Sequence, residues 1–178
     1  MKLPVEALTR EAFALFGDVI EADASRSSFA INEGSSQRFH DLAQLDAGDG
    51  GRLVVSIFRA QPRCLPLTLT LLERHPKGSQ AFMPLSGQPF LVVVAPRSDR
   101  IDRAQIRAFL ANGRQGVNFA PGVWHHPLLA LYSESDFLVI DRNDPHGNCE
   151  EQKLDAPRFI HLDLNAKLIK GLTGVVQC

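Results

Sequence analysis

Glu73, His75 and Gln80 flank the segment Pro76-Lys77-Gly78-Ser79, which has the composition of a turn. Two residues apart on a strand, Glu73 and His75 project to one face. A reversal at the Pro-Lys-Gly-Ser turn brings Gln80 back beside them. Further on, Pro121-Gly122-Val123-Trp124-His125-His126-Pro127 sets a second imidazole just after a turn, and Pro127 disfavours helix at His126. His126 itself faces away from its neighbour, as adjacent strand residues do. Imidazole and carboxylate move protons near neutral pH, and the same atoms hold a divalent cation. Gln80 offers a neutral carbonyl where a carboxylate would hold a cation more strongly. The four residues therefore suit either a metal site with open positions or a metal-free site that hydrogen-bonds a substrate amide.

Such a convergence needs a scaffold of strands, and the chain is written mostly that way. Thr9 caps a short helix over 9–16, with Phe13 and Phe16 at helical spacing and Gly17 as its stop. Short runs rich in Val, Ile, Leu and Phe follow, separated by Gly, Pro, Asn and Asp: 19–20, 53–58, 67–72, 90–95, 109–110, 128–132 and 137–140. The runs 128–132 and 136–141 read as a hairpin across Ser133-Glu134-Ser135, and 102–109 has room for two helical turns. Residues 21–28 and 46–51 are loop-like and too short to divide the chain. So many short strands must close on themselves or pair two sheets to avoid open edges, which makes a barrel or jelly roll the economical architecture.

Composition narrows the function classes. With 178 residues and 44% apolar content, one core is expected, hence one domain over 1–178, with 156–178 an extension of open role. Nineteen basic against twenty acidic residues leave a formal charge of −1, too little positive charge for nucleic acid or an anionic membrane. The N-terminus lacks an apolar signal region, and no stretch approaches eighteen uncharged apolar residues. Three widely spaced cysteines, Cys64, Cys149 and Cys178, read as inert thiols of a reducing, cytoplasmic compartment.

The spacing Glu73-x-His75, four residues, Gln80, six residues, Gly87 resembles the first cupin motif, in which two histidines and a glutamate precede the glycine. Pro121-Gly122-Val-Trp-His125 resembles the second, with its proline displaced by one. Glu73 then stands in the place of a metal histidine and Gln80 in that of the glutamate, while His75 and His125 are kept. A narrower resemblance, to the ureidoglycolate lyase family, spans about residues 1–150. It rests on Phe29-Ala-Ile-Asn32, Arg38-Phe-His40-Asp41, Arg59-Ala-Gln61-Pro, Glu73-Arg-His75-Pro-x-Gly-x-Gln80-Ala-Phe, Gly116-Val-Asn118, Val-Trp124-His125-His126-Pro-Leu and Phe137-Leu-Val-Ile-Asp141-Arg142.

The resemblance implies a mainly β, cupin-like double-stranded β-helix with a few short helices. It further implies a homodimer of allantoin degradation associated with nickel, and cleavage of ureidoglycolate to glyoxylate and urea. That reaction needs an anion clamp, amide hydrogen bonds and an acid/base pair. Arg59 is the expected clamp, because a guanidinium fork matches a carboxylate. His125 first and His75 second would take the hydroxyl proton, with Glu73 as a metal ligand, a base or the group that orients His75. Gln80, Asn32, His40 and Asp141 complete the expected substrate contacts. An amidohydrolase releasing ammonia and a non-catalytic cupin that binds a small carboxylate are the rival readings.

Overall fold

The structure, a computed structural model, describes residues 2–23, 27–145, 147–155 and 160–163. It opens with β1 (Lys2–Ala7), α1 (Arg10–Phe13), β2 (Gly17–Ile20), β3 (Ser28–Ile31), β4 (Ser36–Phe39) and β5 (Arg52–Ala60). The middle of the chain supplies β6 (Thr68–Leu69), β7 (Leu71–Arg74), β8 (Gln80–Pro84), β9 (Phe90–Ala95), β10 (Arg107–Ala111) and β11 (Gly116–Phe119). After them come β12 (Trp124–His125), β13 (Leu129–Ala130), β14 (Ser135–Asn143), β15 (Glu150–Lys153) and β16 (Ile160–Asp163). The expected mainly β architecture with few and short helices is what forms.

Two sheets face each other. The larger runs β15-β7-β12-β9-β10-β1-β16-β6, with β13 also paired to β9, and the smaller runs β2-β11-β8-β14-β5. Between them pack Phe13, Phe16, Val19, Phe82, Val92, Val94, Phe109, Phe119, Phe137 and Val139. A second buried cluster, with Leu3, Val5, Leu91, Val93, Leu110 and Trp124, covers the other face of the larger sheet. β9 is therefore buried at all six positions, which is why Phe90–Ala95 is an unbroken apolar run rather than an alternating one.

Three expectations are corrected. Residues 102–109 hold one 3-10 turn, Arg103–Gln105, and then enter β10. Asp102 accepts from Ala104 N at the start of that turn, while Ala108 to Ala111 pair with β9 and fill both cores, so tertiary pairing overrides local helix propensity. The runs 128–132 and 136–141 do not pair with one another: β13 joins β9 in the larger sheet, and β14 lies between β8 and β5 in the smaller. Cys64 is disulfide-bonded rather than a free thiol, and Cys149 is free and exposed. The segment from about 156, apart from 160–163, lies outside the described residues. No helix among the described residues is long and apolar enough to cross a membrane.

The opening helix is shorter than its pattern implies. Thr9 Oγ1 does accept from Ala12 N, but the helix ends at Phe13 because Phe13 and Phe16 must both enter the inter-sheet core. Gly17 then starts β2 at φ +138°, where a Cβ would collide with the Asn118 carbonyl oxygen. Gly17→Ala should cost about 3 kcal/mol or more from backbone strain and overpacking. Gly50→Ala, also at positive φ but with open space around it, should cost only about 1 kcal/mol. Urea unfolding of the two variants checks the difference.

Candidate active site

β7 and β12 are antiparallel neighbours, with Glu73 directly opposite His125. The chain leaves β7 at His75 and turns through Pro76 to Ser79. It does not return as a hairpin but crosses to the facing sheet as β8, where Gln80 lies opposite Asp141 of β14. Glu73 and His125 thus come from one sheet, Gln80 and Asp141 from the other, and His75 from the link between them. His125 Nε2 lies 3.2 Å from Gln80 Oε1 and 3.6 Å from Glu73 Oε1. The His75 and His125 rings are 5.2 Å apart, and Phe119 stacks on His125 at 4.2 Å. Gln80 Nε2 donates to Asp141 Oδ2 at 3.2 Å. The convergence expected of positions 73, 75, 80 and 125 is present, and Asp141 joins it.

Hydrogen bonds fix the tautomers. His75 Nδ1 lies 2.7 Å from the Asn148 carbonyl oxygen and His125 Nδ1 lies 3.0 Å from that of Val123. A carbonyl only accepts, so each Nδ1 carries the proton and each Nε2 presents a lone pair to the site. Among the described residues His75 Nε2 is buried with no hydrogen-bond partner, and His125 Nε2 faces two oxygens. A second proton on His125 or a cation would answer the latter, and a cation would answer His75 Nε2 as well. One ligand atom from each of Glu73, His75 and His125 lies within 4.8 Å of the others. Two imidazoles, each held by a backbone carbonyl, and one carboxylate fit a divalent transition-metal ion, with Gln80 Oε1 as a neutral fourth donor.

The electrostatics follow from the same contacts. Burial pushes the Glu73 carboxyl up, but His125, His75 and the Cys149 thiol together outweigh it and hold the group below the usual range. Burial holds His75 below the usual imidazole range, and it does the same to His126. Cys149, 3.8 Å from Glu73 Oε2, is pushed up to about 11 by burial and the surrounding carboxylates, so it stays a thiol. Glu73, Cys149 and Glu151 form a second, more exposed group of potential ligands.

A cavity of about 140 Å³ opens here, lined by His75, Asp141, Arg142, Asp144, Asn148 and Cys149. A larger cleft of about 740 Å³ lies across the Pro76–Lys77 turn, between Asp46, Asp49, Arg97 and Pro121, and none of the five converging side chains lines it. Three expected contacts are elsewhere. Arg59 pairs across β5 and β14 with Asp136, at 2.8 and 2.9 Å, five positions along β14 from Asp141. That is about 17 Å at strand rise, and Asp136 already occupies its guanidinium fork. Asn32 and His40 belong to the exposed hairpin β3–β4 and its exit. Asn32 takes φ +52° in the turn and His40 rests edge-on against Phe29, so neither joins the cluster. Sequence reasoning missed Asn148, whose contribution is a backbone carbonyl and so carries no side-chain signal.

Below about pH 6.5 the unfolded chain protonates histidines that the folded protein keeps neutral at 75 and 126. Stability should be highest above that pH and fall on acidification, with a further loss below the ordinary glutamate value of 4.5 as Glu73 is protonated. Chemical denaturation from pH 8 to 4 in a chelating buffer should show both phases, and His126→Asn should flatten the upper one.

The family model for ureidoglycolate lyase matches residues 1–161. A relative from Burkholderia cepacia named ureidoglycolate lyase is 57% identical over 96% of this chain and 97% of its own. One of the same name from Pseudomonas syringae pv. tomato is 52% identical over 92% and 96%. Among solved structures, a dTDP-6-deoxy-D-glucose-3,5-epimerase from Legionella pneumophila is similar at TM-score 0.41 and 15% identity, covering 90% of this chain and 98% of that one. An oxalate decarboxylase is similar at 0.37 and 12%, over 78% and 28%. With a family model spanning nearly its whole length and relatives above half identity, the chain belongs to the ureidoglycolate lyase family.

Proposed function

We propose that the protein cleaves (S)-ureidoglycolate to glyoxylate and urea in the degradation of allantoin. The observation that carries this reading is the meeting of two bare imidazole nitrogens, one carboxylate and one carboxamide beside a small cavity. Glu73, His75 and His125 would hold a divalent ion, nickel by family resemblance, with Gln80 completing the set. When bound, such an ion polarises the substrate's hydroxyl or carboxylate oxygens. In this reading the histidines act as ligands, and the substrate carboxylate finds its partner here rather than at Arg59.

Two carboxylates line the cavity; Asp144 Oδ2 accepts from Lys77 and Arg142, and Asp141, held there by Gln80 Nε2, is then the acid/base group. It takes the hydroxyl proton as the carbon–oxygen double bond forms and the carbon–nitrogen bond breaks. The nitrogen leaves with the bonding pair and receives that proton, giving neutral urea. No water enters, which separates this outcome from hydrolysis to ammonia.

Association as a homodimer in the cytoplasm belongs to the same reading. β5 is a terminal strand of the smaller sheet, with Val55 68% and Ile57 55% exposed, and opposite them on β14 lie Ile140 and Leu138. An apolar edge of this kind is a liability in water unless covered, and a second copy covers it with the same surface. Ile57→Asp should turn the dimer into a monomer in sedimentation velocity. A wild-type monomer at micromolar concentration would overturn the assignment.

Incubation with (S)-ureidoglycolate should yield urea equimolar with glyoxylate and no ammonia, with activity lost on chelation and restored by Ni²⁺. Asp141→Asn should lower kcat by about a hundredfold to ten-thousandfold, the range for a lost general acid/base, while keeping metal affinity. His125→Ala should lose both. Ammonia and carbon dioxide as products would establish the hydrolase instead, and binding without turnover a carboxylate sensor.

A further inference from the structure

Arg142 lies next to Asp141 on β14, and its side chain is only 13% exposed. Its Nε donates to Asp144 Oδ2 at 3.3 Å, and its Nη1 donates to the carbonyl oxygens of Ala47 and, at 3.3 Å, Asp49. Three glycines close around it. A Cβ on Gly78 would lie 2.9 Å from Arg142 Cβ and from Asp46 O, and a Cβ on Gly51 or Gly48 would press against the guanidinium. The turn that carries His75 into Gln80 is thereby fastened from outside, a link reinforced where Ser79 N donates to Asp46 O and Asp46 N to Ser79 Oγ, both at 2.8 Å.

The contacts continue inward. Asp144 Oδ2 also accepts from Lys77 Nζ at 2.9 Å, Lys77 N donates to Asn148 Oδ1 at 2.8 Å, and the Asn148 carbonyl accepts from His75 Nδ1. The group that fixes the His75 tautomer is thus reached from Arg142 through Asp144 and Lys77. We infer that Arg142 is a positioning residue for His75: by bracing Asp144, the 46–51 loop and the 76–79 turn, it keeps the Nε2 of that imidazole aimed at Glu73 and His125. Its Nε and Nη1 are taken up by the protein, and these contacts support a brace rather than an anion clamp for the substrate. The inference deepens the proposed lyase reading and rests on it for the catalytic readout alone.

Titration calorimetry of the metal-free protein with Ni²⁺ and steady-state kinetics on ureidoglycolate separate the roles. Arg142→Ala should weaken Ni²⁺ binding and lower kcat, each by about tenfold to a hundredfold, as loss of an outer-shell partner does, with KM changed by less than about threefold. Arg142→Lys should recover part of both, and Asp144→Asn, which breaks the relay one residue inward, should reproduce the alanine pattern if Arg142→Ala does not fold. Arg114→Ala, an exposed arginine outside the relay, serves as the control. A rise in KM with kcat and Ni²⁺ affinity retained would overturn the inference in favour of direct substrate binding, and unchanged kcat and affinity would overturn it in favour of a purely structural brace. If the wild type does not cleave ureidoglycolate but Arg142→Ala still weakens Ni²⁺ binding, the lyase reading fails and the positioning role stands.

Discussion

Everything at the candidate site depends on two hydrogen bonds that point away from it. By giving the Nδ1 protons of His75 and His125 to the carbonyls of Asn148 and Val123, the protein obliges both imidazoles to present bare Nε2 atoms to one space. Tied the other way round, the rings would offer two N–H donors to Glu73 and Gln80, and the site would be a closed hydrogen-bonded knot with no vacancy for an ion or a substrate. The stacking of Phe119 on His125 removes the remaining freedom of that ring.

The two-sheet architecture supplies what a single hairpin does not. Neighbouring strands present side chains to one surface, whereas facing sheets present them across a gap, and the chain crosses from one sheet to the other at His75 to Ser79. Close approach of the 46–51 loop and of Arg142 leaves Gly78 no space for a side chain. At β9 the larger sheet is buried on both faces, so β12 beside it, and β7 beyond, are held against a rigid support.

Much of this was legible in the sequence, and for identifiable reasons. Apolar runs mark β5, β9 and β14 because burial writes itself as composition, and the Glu73-x-His75 spacing states a common face directly. β1 carries no strand signature, since Lys2–Ala7 contains Pro4 and Glu6 and is a strand only because β10 and β16 lie beside it. The expected pairing of 128–132 with 136–141 does not form, because strand identity is local whereas sheet membership is settled by contacts distant in sequence. Arg59 shows the limit most clearly: its residue type suits a carboxylate, and a carboxylate is what it binds, namely Asp136 of its own chain. Asn148 acts through its main chain, which residue identity does not encode.

The identities of positions 80 and 141 are coupled. A carboxamide is a two-ended group, and here its nitrogen end meets Asp141 at 3.2 Å while its oxygen end meets His125 at the same distance. A glutamate at 80 would set like charges at that separation across β8 and β14, and one of the two would be forced to retain a proton. The neutral residue at 80 and the acid at 141 are therefore one choice made twice, and a homologue that restores the acid at one position should be found to have surrendered it at the other.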